Sequence, residues 1–172
     1  MIDLKDHIRS IPDYPKQGIL FYDIATLLAN GKAWQETVSR IGDIISPLKP
    51  DYICGVDARG FLIGAAVAAK LGIGFVMIRK KGKLPGKVVS RSYTLEYGQN
   101  TLEIQTDIMT PGAKVVLCDD LIATGGTAAA AIELINTLDV SVIHAVFIAE
   151  LDFLNGRNNI SVPISSLIHY DS

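Results

Sequence analysis

The segment VVLCDDLIATGGT at residues 115–127 sets two carboxylates, Asp119 and Asp120, with four residues between them and a Gly-Gly pair flanked by threonines. Gly125 and Gly126 let a backbone come close to a ligand. Thr124 and Thr127 add hydroxyls and offer to cap a following helix. Unpaired N–H groups at a helix start favour an anion, and a phosphate fits such a turn. No Lys follows the glycines and the spacing is not G-x-G-x-x-G, so neither familiar nucleotide loop is present. Carboxylates repel phosphate but accept hydrogen bonds from sugar hydroxyls. A ligand with phosphate at one end and a sugar beside it meets both demands, and a ribose 5-phosphate is the simplest. The same residues would also make a plain helix-capping loop with solvated acids.

A second group, Asp57, Ala58, Arg59 and Gly60, follows the apolar run at residues 52–56. Arg59 can grip a phosphate with two parallel hydrogen bonds, or serve only as half of a surface ion pair. A third group, RKKGKLPGK at residues 79–87, carries five cations in nine positions, broken by Gly82, Pro85 and Gly86. Basic runs are often solvated faces or nucleic-acid patches. This one lacks interleaved aromatics and sits in a chain of net charge −2, so it suits a compact anion better than a long polyanion.

These loops need elements to hold them. Trp34, Val38, Ile41, Ile45 and Leu48 recur at helical steps, with Trp34 expected in the core and Pro47 and Pro50 closing the helix. Apolar strands are expected at 52–56, 75–78, 114–118 and 142–149, and helices at 61–71 and from about 128 to 138. This alternation predicts an α/β fold, an open parallel sheet flanked by helices, whose ligands sit beyond the carboxyl ends of the strands. Residues 88–107, rich in Thr, Ser, Tyr and charge, read as a flexible antiparallel flap projecting from that sheet, with its turn at Gly98, Gln99 and Asn100.

At 172 residues, 49% hydrophobic and 20% charged, the chain is long enough for one well-buried core without staples. The most apolar stretch, residues 60–78, holds one charge, Lys70, but four glycines, and reads as a buried helix, turn and strand rather than a membrane span. The N-terminus has no secretory pattern. Cys54 and Cys118 lie in apolar runs, as buried thiols of a reducing cytoplasm do. No Cys/His spacing suggests a metal site, and His7, His144 and His169 are scattered.

VVLCDDLIATGGT resembles the phosphoribosyl pyrophosphate (PRPP) motif of the type I phosphoribosyltransferases. YPKQGILFYDIATLL (14–28), GVDARGFLIGAAVA (55–68), IRKKGKLPG (78–86), SYTLEYG (92–98) and LEIQTD (102–107) resemble, in order, the adenine phosphoribosyltransferases. The resemblance implies one domain over 1–172: N-terminal helices and a base-binding segment at 1–50, a PRPP-binding core at 51–150 with a flap at 79–107, and a C-terminal segment at 151–172. It implies transfer of ribose 5-phosphate from PRPP to adenine, giving AMP and pyrophosphate. Asp119 and Asp120 would hold the ribose hydroxyls, and Ala123, Thr124, Gly125, Gly126 and Thr127 would wrap the 5-phosphate. Asp57, Ala58, Arg59 and Gly60 would hold the pyrophosphate with Arg79, Lys80 and Lys83, and Arg79 would be the one to reach a neighbouring subunit. Leu20, Phe21 and Tyr22 match the adenine-binding segment, though the family usually has Arg where Tyr22 stands. Arg59 and Glu96 are the catalytic candidates: Glu96 as general acid/base on the flap, unless it is only a solvent-facing hairpin residue, and Tyr97 beside it to cap the closed site. Mg2+ would arrive on PRPP with no protein side chain as its ligand. A cytoplasmic homodimer binding neither nucleic acid nor membrane is implied. The competing readings are a transferase for xanthine or guanine, a PRPP-binding regulator, and a plain nucleotide-binding module.

Overall fold

The computed structural model describes residues 2–95 and 98–172. Its centre is a seven-stranded sheet of order β5-β6-β4-β3-β7-β8-β9. Strands β3 (Tyr52–Val56), β4 (Gly74–Lys80), β7 (Ala113–Ile122), β8 (Val140–Leu151) and β9 (Ile164–Tyr170) run parallel. The antiparallel hairpin of β5 (Val88–Leu95) and β6 (Gly98–Gln105) completes one edge. Near the N-terminus β1 (Arg9–Pro12) and β2 (Leu20–Asp23) form a separate two-stranded ribbon.

Both sheet faces are covered, and the strands show it. Ile53, Val116 and Val146 face one core with Ile41 and Ile45 of α2 (Gly31–Ile45) and Ile63 and Val67 of α3 (Arg59–Leu71). Their immediate neighbours Cys54, Leu117 and Phe147 face a second core with Ala131, Ile132 and Ile135 of α4 (Gly126–Ile135). Side chains alternate across a strand, so a strand buried on both faces must be apolar throughout. The short helix α1 (Ala25–Ala29) adds Leu27 to the first core. Among the described residues no helix is long and apolar enough to cross a membrane, and residues 60–78 form α3, a Gly72 turn in the left-handed region and most of β4.

Several expectations need correction. Strand β7 does not stop at Cys118: its pairing with β8 continues through Asp119↔Phe147 to Ile122↔Glu150, so the acid pair lies within the strand rather than starting a turn. The hairpin is not a free projection, because Arg79↔Glu103 and Lys80↔Leu102 join β6 to β4. Gly98, Gln99 and Asn100 are not its turn; they pair with Leu95, Thr94 and Tyr93 within β6. Arg79 and Lys80 belong to β4, so only the rest of the basic run is irregular. The fully buried line of α2 runs through Ala33, Thr37, Ile41 and Ile45, which leaves Trp34 half-buried at its edge. The small Ala33 and Thr37 allow close approach, and Asn30 caps the helix by accepting from the Ala33 N–H at 3.1 Å. Strand β9 carries serines and a histidine among its apolar residues, a pattern too weak to read as a sheet strand.

Among the described residues the largest fully buried side chain is Phe147, in the middle of β8. Phe147→Ala is expected to cost about 3–5 kcal/mol of stability, measured by urea denaturation. A loss under about 1 kcal/mol would mean that this core closes around the gap.

Candidate active site

The carboxyl ends of β3 and β7 lead into the starts of α3 and α4, and between them lies a cavity of about 430 Å³. That volume suits a small-molecule ligand. Asp57, Ala58, Arg59, Lys80, Asp119, Asp120 and residues 121–128 line it, so the structure brings three of the sequence-derived groups together.

Both helices open on the cavity without a side-chain cap. Ala58 precedes α3 and makes no capping bond. Gly125 precedes α4 with φ +80°, a left-handed conformation suited to glycine. The expected capping by Thr124 or Thr127 is absent, and the hydroxyl of Thr127 instead lies 3.3 Å from the Tyr93 hydroxyl of β5. The first N–H groups of a helix have no partner within it, and each start carries about half a positive charge. Two such starts on one cavity make two places for anionic groups.

The acids stand between them. Arg59 Nε donates to Asp120 Oδ2 at 2.5 Å, and Asp120 is almost wholly buried. Asp119 Oδ1 accepts from the Asp120 N–H at 2.9 Å. Burial first, and then the Asp120 charge, push the Asp119 carboxyl well above the usual carboxylate range, while that backbone N–H and Arg59 pull the other way. Gly60 lets α3 approach this closely: a Cβ there would lie 2.8 Å from the Cys118 carbonyl oxygen and 2.9 Å from Asp119 Oδ1. Cys118 itself is packed, and burial drives its thiol far up, away from reactivity.

Around the cavity, Arg79 Nε donates to Asp57 Oδ2 at 3.2 Å within the same chain, and a terminal Arg79 nitrogen donates to the Lys83 carbonyl at 3.2 Å. Arg79 and Lys83 are absent from the cavity wall, where Lys80 is the contribution of the basic run. The buried Glu103 was not singled out from sequence; it accepts the Gly82 N–H at 2.8 Å and anchors this turn. An isolated Glu on a polar strand gave no signal for that role.

The 20–22 segment divides. Phe21 lies beside Arg59, its ring centroid 5.7 Å from the guanidinium carbon, and Tyr14 meets it edge-on at 5.1 Å. Leu20 is exposed. The Tyr22 side chain turns into the core, stacked on Tyr170 at 3.8 Å and donating to the Ser172 carbonyl at 3.1 Å. The Tyr22 ring is thus part of the core, and its main chain lies in the β1–β2 ribbon opposite Ser10. Glu96 and Tyr97 lie outside the described residues.

A second grouping, Glu150, Asp152 and His169, holds potential ligand atoms within 4.8 Å of one another. It is not built for a metal, since Arg157 donates to both Glu150 oxygens at 2.6 and 2.7 Å.

Residues 25–159 match the family model for the phosphoribosyl transferase domain. The adenine phosphoribosyltransferase of Rhodospirillum rubrum is 54% identical over 171 residues, 99% of this chain and 100% of that one. The crystal structure of the adenine phosphoribosyltransferase of Thermoanaerobacter pseudethanolicus superposes with a TM-score of 0.93 at 44% identity, covering 97% of this chain and 98% of that one. The Saccharomyces cerevisiae enzyme, solved with an imino-altritol bisphosphate and adenine, gives 0.90 at 40% identity, covering 95% and 96%.

Asp119 yields a stability prediction. Its folded pKa exceeds the unfolded one, so the ionised carboxylate destabilises the fold at neutral pH. That cost fades as pH falls through the raised value toward the ordinary carboxylate range. Asp119→Asn is expected to raise the Tm at pH 7, by about 2–4 °C for each kcal/mol relieved. The gain should shrink in melts run toward pH 4; a variant melting below the parent at pH 7 refutes it.

Proposed function

The chain belongs to the phosphoribosyltransferase family, and we infer that its cavity is where ribose 5-phosphate passes from PRPP to adenine, giving AMP and pyrophosphate in purine salvage. The observation that carries this reading is the pair of uncapped helix starts flanking an acid pair in one cavity. PRPP has the matching pattern: a phosphate at one end, a pyrophosphate at the other and ribose hydroxyls between.

The α4 start, with Ala123, Thr124, Gly125, Gly126 and Thr127, holds the 5-phosphate. Asp119 and Asp120 accept hydrogen bonds from the ribose hydroxyls and so fix the ring. The loop of Asp57, Ala58, Arg59 and Gly60, with Lys80 and the nearby Arg79 and Lys83, receives the pyrophosphate. Phe21 covers adenine beside Arg59, while main-chain groups of Leu20 and Tyr22 read its edge.

The bond from the anomeric carbon to the pyrophosphate oxygen breaks and that carbon bonds to N9 of adenine, with inversion. The bonding electron pair leaves with pyrophosphate, and the N9 proton passes to Glu96, a role supported by sequence resemblance alone. Positive charge developing on the ribose is stabilised by the two carboxylates, and negative charge on the leaving group by Arg59 and the α3 start. Holding both reactants in line removes much of the entropic barrier. Mg2+ would arrive with PRPP and be held mainly by PRPP oxygens and water, with no side chain of this chain as its ligand. When bound, that ion supplies charge neutralisation for the departing pyrophosphate.

The enzyme works as one domain in the cytoplasm and as a homodimer. The resemblance of the whole chain to the adenine phosphoribosyltransferases supports these readings.

Purified protein given PRPP, Mg2+ and a panel of purine bases is expected to form nucleotide with adenine. Turnover of a 6-oxopurine with none of adenine would overturn the reading. Asp119→Asn combined with Asp120→Asn is expected to weaken PRPP binding by about 1.5–3 kcal/mol per lost charge-assisted bond, measured by titration calorimetry. Glu96→Ala should lower kcat far more than it raises either KM; parental kcat would return Glu96 to an ordinary surface residue.

A further inference from the structure

The turn at 123–127 has no cation of its own and no cap, so something else must hold its shape. The 3-10 turn Gly156–Asn159, which follows β8, lies directly behind it. The two segments touch through bare backbone. A Cβ on Gly125 would lie 2.3 Å from the Gly156 carbonyl oxygen, and a Cβ on Gly156 would lie 2.2 Å from the Ala123 carbonyl oxygen and 3.0 Å from the Gly125 nitrogen. Neither position has room for a side chain. Asn159 adds a direct bond, its Nδ2 donating to the Thr124 carbonyl at 2.8 Å. The Thr124–Gly125 peptide is trans, so its N–H points opposite its C=O. Anchoring the Thr124 oxygen at Asn159 therefore turns the Gly125 N–H away from Asn159, a residue that takes no part in the cavity wall.

The brace is itself clamped. Arg157 forks onto Glu150, which is 3% exposed at the end of β8, and also donates to the Ile164 carbonyl at 3.3 Å. Ser166 of β9 donates to Glu150 Oε2 at 2.7 Å. A buried carboxylate with both oxygens taken, one of them twice, is a rigid anchor, and a bidentate Arg fixes orientation as well as distance. The chain thus runs from the sheet, through Glu150 and Arg157, to Gly156 and Asn159, and from them to the turn.

We propose that Gly156 and Asn159 are positioning residues for the phosphate end of PRPP, keyed to the sheet by the Glu150–Arg157 pair. They touch no substrate. They set where the Thr124 and Gly125 peptide groups stand before the ligand arrives. The proposal rests on the reading that the 123–127 turn holds the 5-phosphate, and it extends the determinants of PRPP affinity to a segment outside the cavity.

The test uses the full chain with Asn159→Ala, Gly156→Ala and, as control, Asn158→Ala, whose side chain makes no bond to the turn. Each is assayed for KM toward PRPP and adenine, kcat, PRPP affinity by calorimetry, and Tm. Losing one hydrogen bond from Asn159 should raise the PRPP Kd and KM about three- to ten-fold, with KM for adenine moving less than about two-fold. Gly156→Ala should do more, because its Cβ displaces the Ala123 carbonyl. Asn158→Ala should match the parent. If Gly156→Ala does not fold, Asn159→Ala decides alone. An Asn159→Ala enzyme with parental PRPP affinity, or with both KM values raised equally, overturns the proposal. A parent that neither binds PRPP nor forms AMP overturns the functional reading instead, which the same measurements on unaltered protein reveal.

Discussion

Two helices begin at the same end of the sheet, and the opening N–H groups of each lack a side-chain partner. Such groups are costly when buried dry and useful when aimed at an anion. The architecture follows from that constraint. Parallel strands β3 and β7 are adjacent, so the helices that follow them start side by side. The sheet adds two carboxylates near the carboxyl end of β7. Capping either helix with its own side chain would satisfy the backbone and close the site to a ligand.

The same logic explains why glycines gather here. Gly60 brings α3 against the end of β7, and Gly125 turns the chain into α4 through a left-handed residue. Both save the width of a side chain where backbone must come near something else. The acid between them bears the electrostatic consequence: Asp119 is held ionisable in surroundings that favour its neutral form.

Much of this was legible in the residues. The strand–acid–glycine order at 115–127 and the Asp57–Gly60 group led to the cavity because strand ends in parallel sheets are where loops can gather. Apolar runs fixed on both faces identified β3, β7 and β8. What failed was set by partners the sequence does not display. Asp119 and Asp120 sit in a strand because β8 offers a pairing edge beyond Cys118, against the turn chemistry of their own types. Tyr22 faces Tyr170, far along the chain, so no local pattern reveals that its ring turns into the core. Glu103 and the Glu150–Arg157 pair act on backbone segments distant in sequence, and a single buried Glu carries no period.

The Arg59–Asp120 contact carries a consequence of its own. It joins Arg59 Nε to Asp120 Oδ2 at 2.5 Å and so spends one donor of a guanidinium that has five. The terminal nitrogens can still fork onto an anion while Nε keeps the buried carboxylate compensated. One side chain can therefore serve the acidic and the anion-binding halves of the cavity at once.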